Sequence, residues 1–142
     1  MPVTTLAPDN HAQLRAALTD TTWCVACLCA AWCDVCSNFQ DSYTTLAAQH
    51  PEIQFVWIDI EDEAELIGDT NIDNFPTLLI QRGSAISFFG TVEADPRSIN
   101  RLIQAQVRQA GNVDSIASST SIGSPDLRAR LDARLQRPTF RK

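Results

Sequence analysis

The sequence predicts an α/β fold followed by a C-terminal extension, on three observations. Apolar runs of strand length alternate with segments in which apolar residues recur at three- and four-residue intervals. A chain of 142 residues, 44% hydrophobic and only 20% charged, has the size and composition for a single core. After Gly111 the apolar patterning lapses. The chain is therefore divided into a folded domain over residues 1–111 and a flexible or partly helical tail over 112–142.

The first element is an amphipathic segment over Asp9 to Leu18, with Leu14, Ala17 and Leu18 on one side. Trp23 to Ala31 is a continuous apolar run without a turn residue, suited to a central strand covered on both faces. A helix is expected from Asp34 to about Gln49, because Phe39, Tyr43, Leu46 and Ala47 form one stripe and Pro51 lies just beyond. The second long strand is Ile53 to Ile60. Glu61, Asp62, Glu63 and Glu65 then open a short helix whose N-terminus favours negative charge, ending near Gly68 to Asn71. Thr77–Gln81 and Ala85–Phe89 flank Arg82-Gly83-Ser84 and read as an antiparallel hairpin. A last domain helix starts at Asp95 or Pro96 and runs to about Ala110, carrying Ile99, Leu102, Ile103, Ala105 and Val107, with Gly111 as its cap. Ser115 to Ser124 has the composition of a linker, and Asp126 to Gln136 is expected to form a short helix with Leu127, Leu131 and Leu135 four apart. Isolated helices of that length are marginal in water, so the tail is expected to stay uncommitted.

The net charge of −6 is unevenly spread: residues 1–111 hold five Lys or Arg against fourteen Asp or Glu, and 112–142 hold six against three. An acidic body argues against nucleic acid, which requires clustered Lys and Arg, and fits a solvated surface. No stretch approaches the length of a membrane span, and Met1 to Asp20 has no basic segment followed by an apolar one. Five clustered cysteines, an odd number, resemble an intracellular thiol protein more than a secreted disulfide scaffold. A cytoplasmic, monomeric protein is expected.

The most informative residues are Trp32-Cys33-Asp34-Val35-Cys36, at the junction between the predicted central strand and the helix after it. Cys33 falls at or just before the first helical turn, where unpaired N–H groups and the helix dipole favour negative charge on its sulfur. The thiolate is the nucleophilic form. A Cys-x-x-Cys spacing alone also occurs in zinc sites and among buried thiols, so the motif leaves redox, metal and packing readings open. Strand alternation sends Cys24 to one face and Cys27 and Cys29 to the other, which disfavours a four-thiolate metal site and points to core packing for these three. His11 and His50 lie apart from the cysteines near helix ends and read as capping or solvent-exposed residues.

Ala31-Trp32-Cys33 with Cys36, followed forty residues later by Phe75-Pro76-Thr77 at the head of a strand and by Gly90 at the end of the next, resembles the thioredoxin family over roughly residues 6–110. The resemblance implies a thioredoxin-like α/β fold with a central mixed β-sheet flanked by helices. It also implies a cis peptide before Pro76, a bond rare outside X-Pro pairs and uncommon within them. By the same resemblance Cys33 is the nucleophile and Cys36 the resolving thiol, and their redox-active disulfide serves in place of any other cofactor. Trp32, Phe75, Pro76 and Thr77 would border the groove that receives the substrate.

This chain departs from the family pattern in two places. Asp34-Val35 stands where thioredoxins usually carry Gly-Pro, which makes both residues candidates for redox tuning; Asp34 equally suits a helix cap. Cys27 stands where the family buries an aspartate, and Trp57 where it buries a lysine, so the usual proton relay is missing. Cys27, a poor base when buried, is a third tuning candidate. The expected activity is reduction of protein disulfides by a mixed-disulfide mechanism. Expected partners are disulfide-containing client proteins and a reductase of the thioredoxin-reductase type as electron donor. No Gly-rich nucleotide loop and no metal site is expected. The competing reading is a thioredoxin-like binding or assembly module with little redox turnover.

Overall fold

The computed structural model describes residues 3–30, 32–67, 74–109 and 126–136. Five strands, β1 (Thr4–Thr5), β2 (Trp23–Cys29), β3 (Gln54–Asp59), β4 (Thr77–Arg82) and β5 (Ala85–Thr91), form one mixed sheet in the order β1-β3-β2-β4-β5. Strand β2 pairs in parallel with β3 and antiparallel with β4, so it is the central strand that its unbroken apolar sequence predicts. The hairpin of β4 and β5 turns at Gly83, whose φ of 57° suits glycine, and a Cβ there would collide with the backbone carbonyl of Asp20.

The helices are α1 (His11–Ala17), α2 (Asp34–Ala48), α3 (Ala64–Ile67), α4 (Pro96–Arg108) and α5 (Leu127–Gln136). A 3-10 turn at Pro8–Asn10 overlaps the start of the amphipathic segment expected from Asp9, and the short β1 has no sequence signal. Asp95 caps α4: its carboxylate accepts from Ser98 Oγ at 2.8 Å and Arg97 N at 3.2 Å. The Ser98 hydrogen bond is the main reason its carboxyl titrates below the usual range.

Strand alternation divides the core in two. Val25, Cys27 and Cys29 of β2, with Phe55 and Trp57 of β3 and Leu78 and Ile80 of β4, face Phe39, Tyr43 and Leu46 of α2 and Ile99 and Ile103 of α4. On the opposite face Cys24, Ala26 and Leu28 meet Leu14, Leu18, Leu66, Leu127 and Leu131, from α1 and its C-terminal cap, α3 and α5. Cys24 is thus separated from Cys27 and Cys29 by the sheet, as alternation requires.

Two expectations are corrected. Most of the acidic residues at 61–65 precede α3: the Asp59 carboxylate accepts from the backbone N–H groups of Glu61 and Asp62, and Glu63 is buried. Its carboxylate lies 2.7 Å from His11 Nε2, so His11 is a buried partner of an acid rather than an exposed or capping residue. The predicted ending of that helix at 68–71 lies outside the described residues.

The second correction concerns the tail. Residues 127–136 form the expected helix, but it is docked rather than uncommitted. Leu127 and Leu131 are buried, and buried Gln81 donates through Nε2 to Asp126 Oδ1 at 3.0 Å while accepting from Leu127 N at 2.8 Å. Arg130 donates to the carbonyls of Leu66 and Ile67 at the end of α3. Arg15 pairs with Asp132 at 2.6 Å and Arg128 with Asp20 at 2.8 Å. Gly111 and the predicted linker at 115–124 lie outside the described residues.

Truncating Leu131 should therefore act as a core mutation. Urea denaturation of Leu131→Ala is expected to show a loss of about 2–5 kcal/mol. A loss below about 0.5 kcal/mol, normal for an exposed site, would contradict docking of this helix.

Candidate active site

Strand β2 ends at Cys29, and the chain reaches α2 through a turn in which Cys33 N donates to Ala30 O at 3.0 Å. Cys33 is the N-cap of α2: its backbone is extended and its carbonyl accepts from Ser37 N at 3.1 Å. Its side chain makes no capping bond, which leaves a half-buried free thiol beside the unpaired N–H groups of the first turn. Asp34 follows as the first helical residue and is exposed, so it is not the cap. Trp32 and Val35, 65% and 49% exposed, flank the thiol and form an apolar surface around it. Cys36 lies one turn further on, on the face of α2 that packs against the sheet.

The sulfur pairing differs from expectation. The family resemblance implies a Cys33–Cys36 disulfide, whereas in the structure Cys36 is bonded to Cys29 and Cys33 is free. The reason lies in the strand face: Cys29 is the last residue of β2, on the α2 side, and its Cα is 5.8 Å from that of Cys36, within disulfide range. From the sequence, Cys29 reads as core packing. Its place on the same strand face as Cys27, at the strand end nearest the motif, was the sequence signal available. Cys27 continues the row inward, its Sγ 3.7 Å from that of Cys29.

The loop before β4 supplies the other side of the site. The Phe75–Pro76 peptide is cis, as the resemblance implied. Phe75 is half-buried and its ring meets that of Trp32 edge to face, centroids 5.6 Å apart. Thr77 does not border an open groove: it is buried, and its hydroxyl donates to Asn74 O at 2.6 Å, tying the loop together from beneath. Pro76 is also buried, and its carbonyl accepts from Val92 N. The exposed apolar surface beside Cys33 is therefore formed by Trp32, Val35 and the accessible part of Phe75.

Beneath the site the interior is thiol and aromatic rather than charged. Cys27 and Trp57 are register partners on β2 and β3, and the Trp57 and Tyr43 rings lie 5.6 Å apart. Burial pushes the Cys27 thiol far above its ordinary range, so it stays protonated at neutral pH and is no general base there. The Tyr43 phenol is held up chiefly by the same desolvation, with its hydroxyl 2.9 Å from the carbonyls of Val25 and Val56. On the opposite side of the sheet, burial raises the Cys24 thiol to about 12. His50 follows the C-terminal end of α2, opposite the end that carries Cys33 and Cys36, and its Nε2 lies 2.6 Å from Asn100 Oδ1. Among the described residues no three His, Cys, Asp or Glu side chains are grouped to hold a metal, and no helix is long and apolar enough to cross a membrane.

Comparison with known proteins agrees with this fold. A family model for thioredoxin matches residues 3–105. A Streptomyces coelicolor protein that carries the name thioredoxin 2 is 31% identical over 83 residues, covering 58% of this chain and 60% of its own. The chain spans only 54% and 60% of the length of the two curated relatives it matches. Among solved structures, thioredoxin f from spinach chloroplast superposes with a TM-score of 0.63 at 22% identity, covering 75% of this chain and 94% of that one. A thioredoxin f2 structure, solved as a complex with ferredoxin:thioredoxin reductase, gives 0.62 at 21% identity over 73% of this chain and 94% of that one. Likeness at these identities establishes the fold.

The raised Cys24 thiol sets a pH dependence. Its unfolded counterpart ionises near the ordinary value of 9.0 while the folded group stays protonated to about 12. The folded state then binds the extra proton, so this group's contribution is intact below about pH 9 and is lost as pH rises from there towards about 12. Urea midpoints measured from neutral to alkaline pH should show the stability advantage of wild type over Cys24→Ala shrinking above pH 9. A difference that stays constant with pH would contradict the assignment.

Proposed function

This chain belongs to the thioredoxin family, and on that premise we propose that it reduces protein disulfides through Cys33 and Cys36. Family, fold and the cysteine arrangement support a thiol-disulfide oxidoreductase. The observation that carries the finer reading is the half-buried Cys33 thiol at the N-cap of α2, framed by apolar residues, with Cys36 one turn behind it.

The Cys33 thiolate attacks one sulfur of a client disulfide, forming a mixed disulfide and releasing the first client thiolate. Cys36 then attacks the Cys33 sulfur; the Cys33–Cys36 bond forms and the second client thiolate leaves. Two electrons pass from the dithiol to the client, and the dithiol itself is the only cofactor the reaction uses. Trp32 and Phe75 present apolar surface against which the polypeptide beside the client disulfide packs, while buried Thr77 and Pro76 hold the loop in place. Asp34 and Val35, exposed beside Cys33, are the side chains through which this sequence tunes the couple. Electrons return from a separate reductase, a partnership supported by the reductase complex of the structurally similar thioredoxin f2. A reducing cytoplasm is the compartment that suits such a cycle.

Insulin reduction, followed by precipitation of the freed chains in the presence of dithiothreitol, tests the proposal. Cys33→Ser should lower the rate to that of reductant alone, and Cys36→Ser should accumulate a mixed disulfide between Cys33 and the insulin chain. Equal, negligible rates for wild type and Cys33→Ser would instead favour a binding module without redox turnover.

A further inference from the structure

We infer that Cys29 is a third working thiol of this centre, and that the disulfide formed at the surface migrates inward from Cys33–Cys36 to Cys29–Cys36. This inference rests on the dithiol reading above. Cys36 can hold one bond at a time, and it has two candidate partners. One is Cys33, one turn earlier on the same helix; the other is Cys29, to which it is joined in the structure. Residues i and i+3 of a helix are neighbours, so both partners are within reach of the same sulfur.

The migration is an exchange without net electron transfer. The Cys29 sulfur, losing its proton, attacks the Cys36 sulfur; the Cys29–Cys36 bond forms, the Cys33–Cys36 bond breaks, and Cys33 departs as a thiolate that takes up a proton. Cys27 lies 3.7 Å from Cys29, and its S–H provides a hydrogen bond to that sulfur whenever it carries charge. The sulfurs of Cys36, Cys29 and Cys27 form a row into the core, and Cys33 stands at the surface one helical turn before Cys36.

Burial gives the exchange a direction of access. Cys29 and Cys36 are each 1% exposed, so an external thiol cannot reach their bond, whereas Cys33 remains available. The oxidised chain consequently keeps a free surface nucleophile. It can capture another disulfide as a mixed disulfide on Cys33, but Cys36 is no longer free to release it. Re-reduction runs through the same gate: the Cys33 thiolate attacks the Cys36 sulfur, Cys29 leaves as a thiolate that takes up a proton, and the exposed Cys33–Cys36 bond is open to the reductase.

Native, fully reduced protein treated with excess dithiobis(nitrobenzoate) separates the possibilities by stoichiometry. Capture by Cys33 and resolution by Cys36 release about two equivalents of coloured thiolate, and migration frees Cys33 to release one more, about three in all. Cys29→Ala, and Cys29→Ser as a variant closer in size, should stop at about two with a Cys33–Cys36 bond, and Cys33→Ser should release almost none. Acid quenching and peptic mass mapping then read the connectivity, since no Lys or Arg lies between Arg15 and Arg82 for trypsin to use. In wild type the expected products are Cys29 joined to Cys36 and nitrobenzoate on Cys33. Wild type halting at Cys33–Cys36 would overturn the inference and leave the dithiol function standing. So would Cys33→Ser closing Cys29–Cys36 as fast as wild type closes it, since the buried bond would then form without the surface thiol. Absence of any internal bond in wild type and in both Cys29 variants would overturn the inference and the dithiol reading together.

Discussion

Strand β2 is paired along both edges and covered on both faces, and its last residue lies beneath the first turn of α2. That constraint governs the site. Because side chains alternate along the strand, Cys27 and Cys29 must face α2 and Cys24 must face away. Because the strand ends at Cys29 and the helix starts at Asp34, the intervening turn has to return the chain over the sheet, which exposes Cys33 and directs Cys36 inward. The same geometry that makes Cys33 a surface thiol brings Cys36 onto Cys29.

Much of this was legible in the sequence because the signals were local. The apolar run of β2, the stripe on α2 and the hairpin around Gly83 each declare their element in a few residues. Boundaries shifted where side-chain hydrogen bonds or proline decided them, as at Pro8 and at the turn organised by Asp59. The motif around Cys33 and the cis peptide before Pro76 were readable through resemblance, and the structure contains both.

The unreadable features are long-range. Nothing near Leu127 or Leu131 announces that their partners are Leu14, Leu66 and buried Gln81; a leucine-bearing segment among arginines and aspartates looks the same whether docked or free. Glu63 sits within an acidic run that reads as solvated surface, yet it is buried against His11, 52 positions earlier. The Cys29–Cys36 pairing depends on how tightly the turn between strand and helix folds back, and residue spacing does not encode that distance.

The proposed chemistry draws on no buried charge between β2 and β3. With Cys27 and Trp57 meeting between β2 and β3, no ionised group lies at that point, and desolvation keeps Cys27 neutral. The proposed function concentrates reactivity at Cys33, the one cysteine of the five that solvent reaches. Brief maleimide labelling of the native, fully reduced chain, read by mass spectrometry, measures this most directly. The account requires one rapid adduct, on Cys33; rapid adducts on Cys29 or Cys36, or a Cys33 that labels no faster than the buried cysteines, would contradict it.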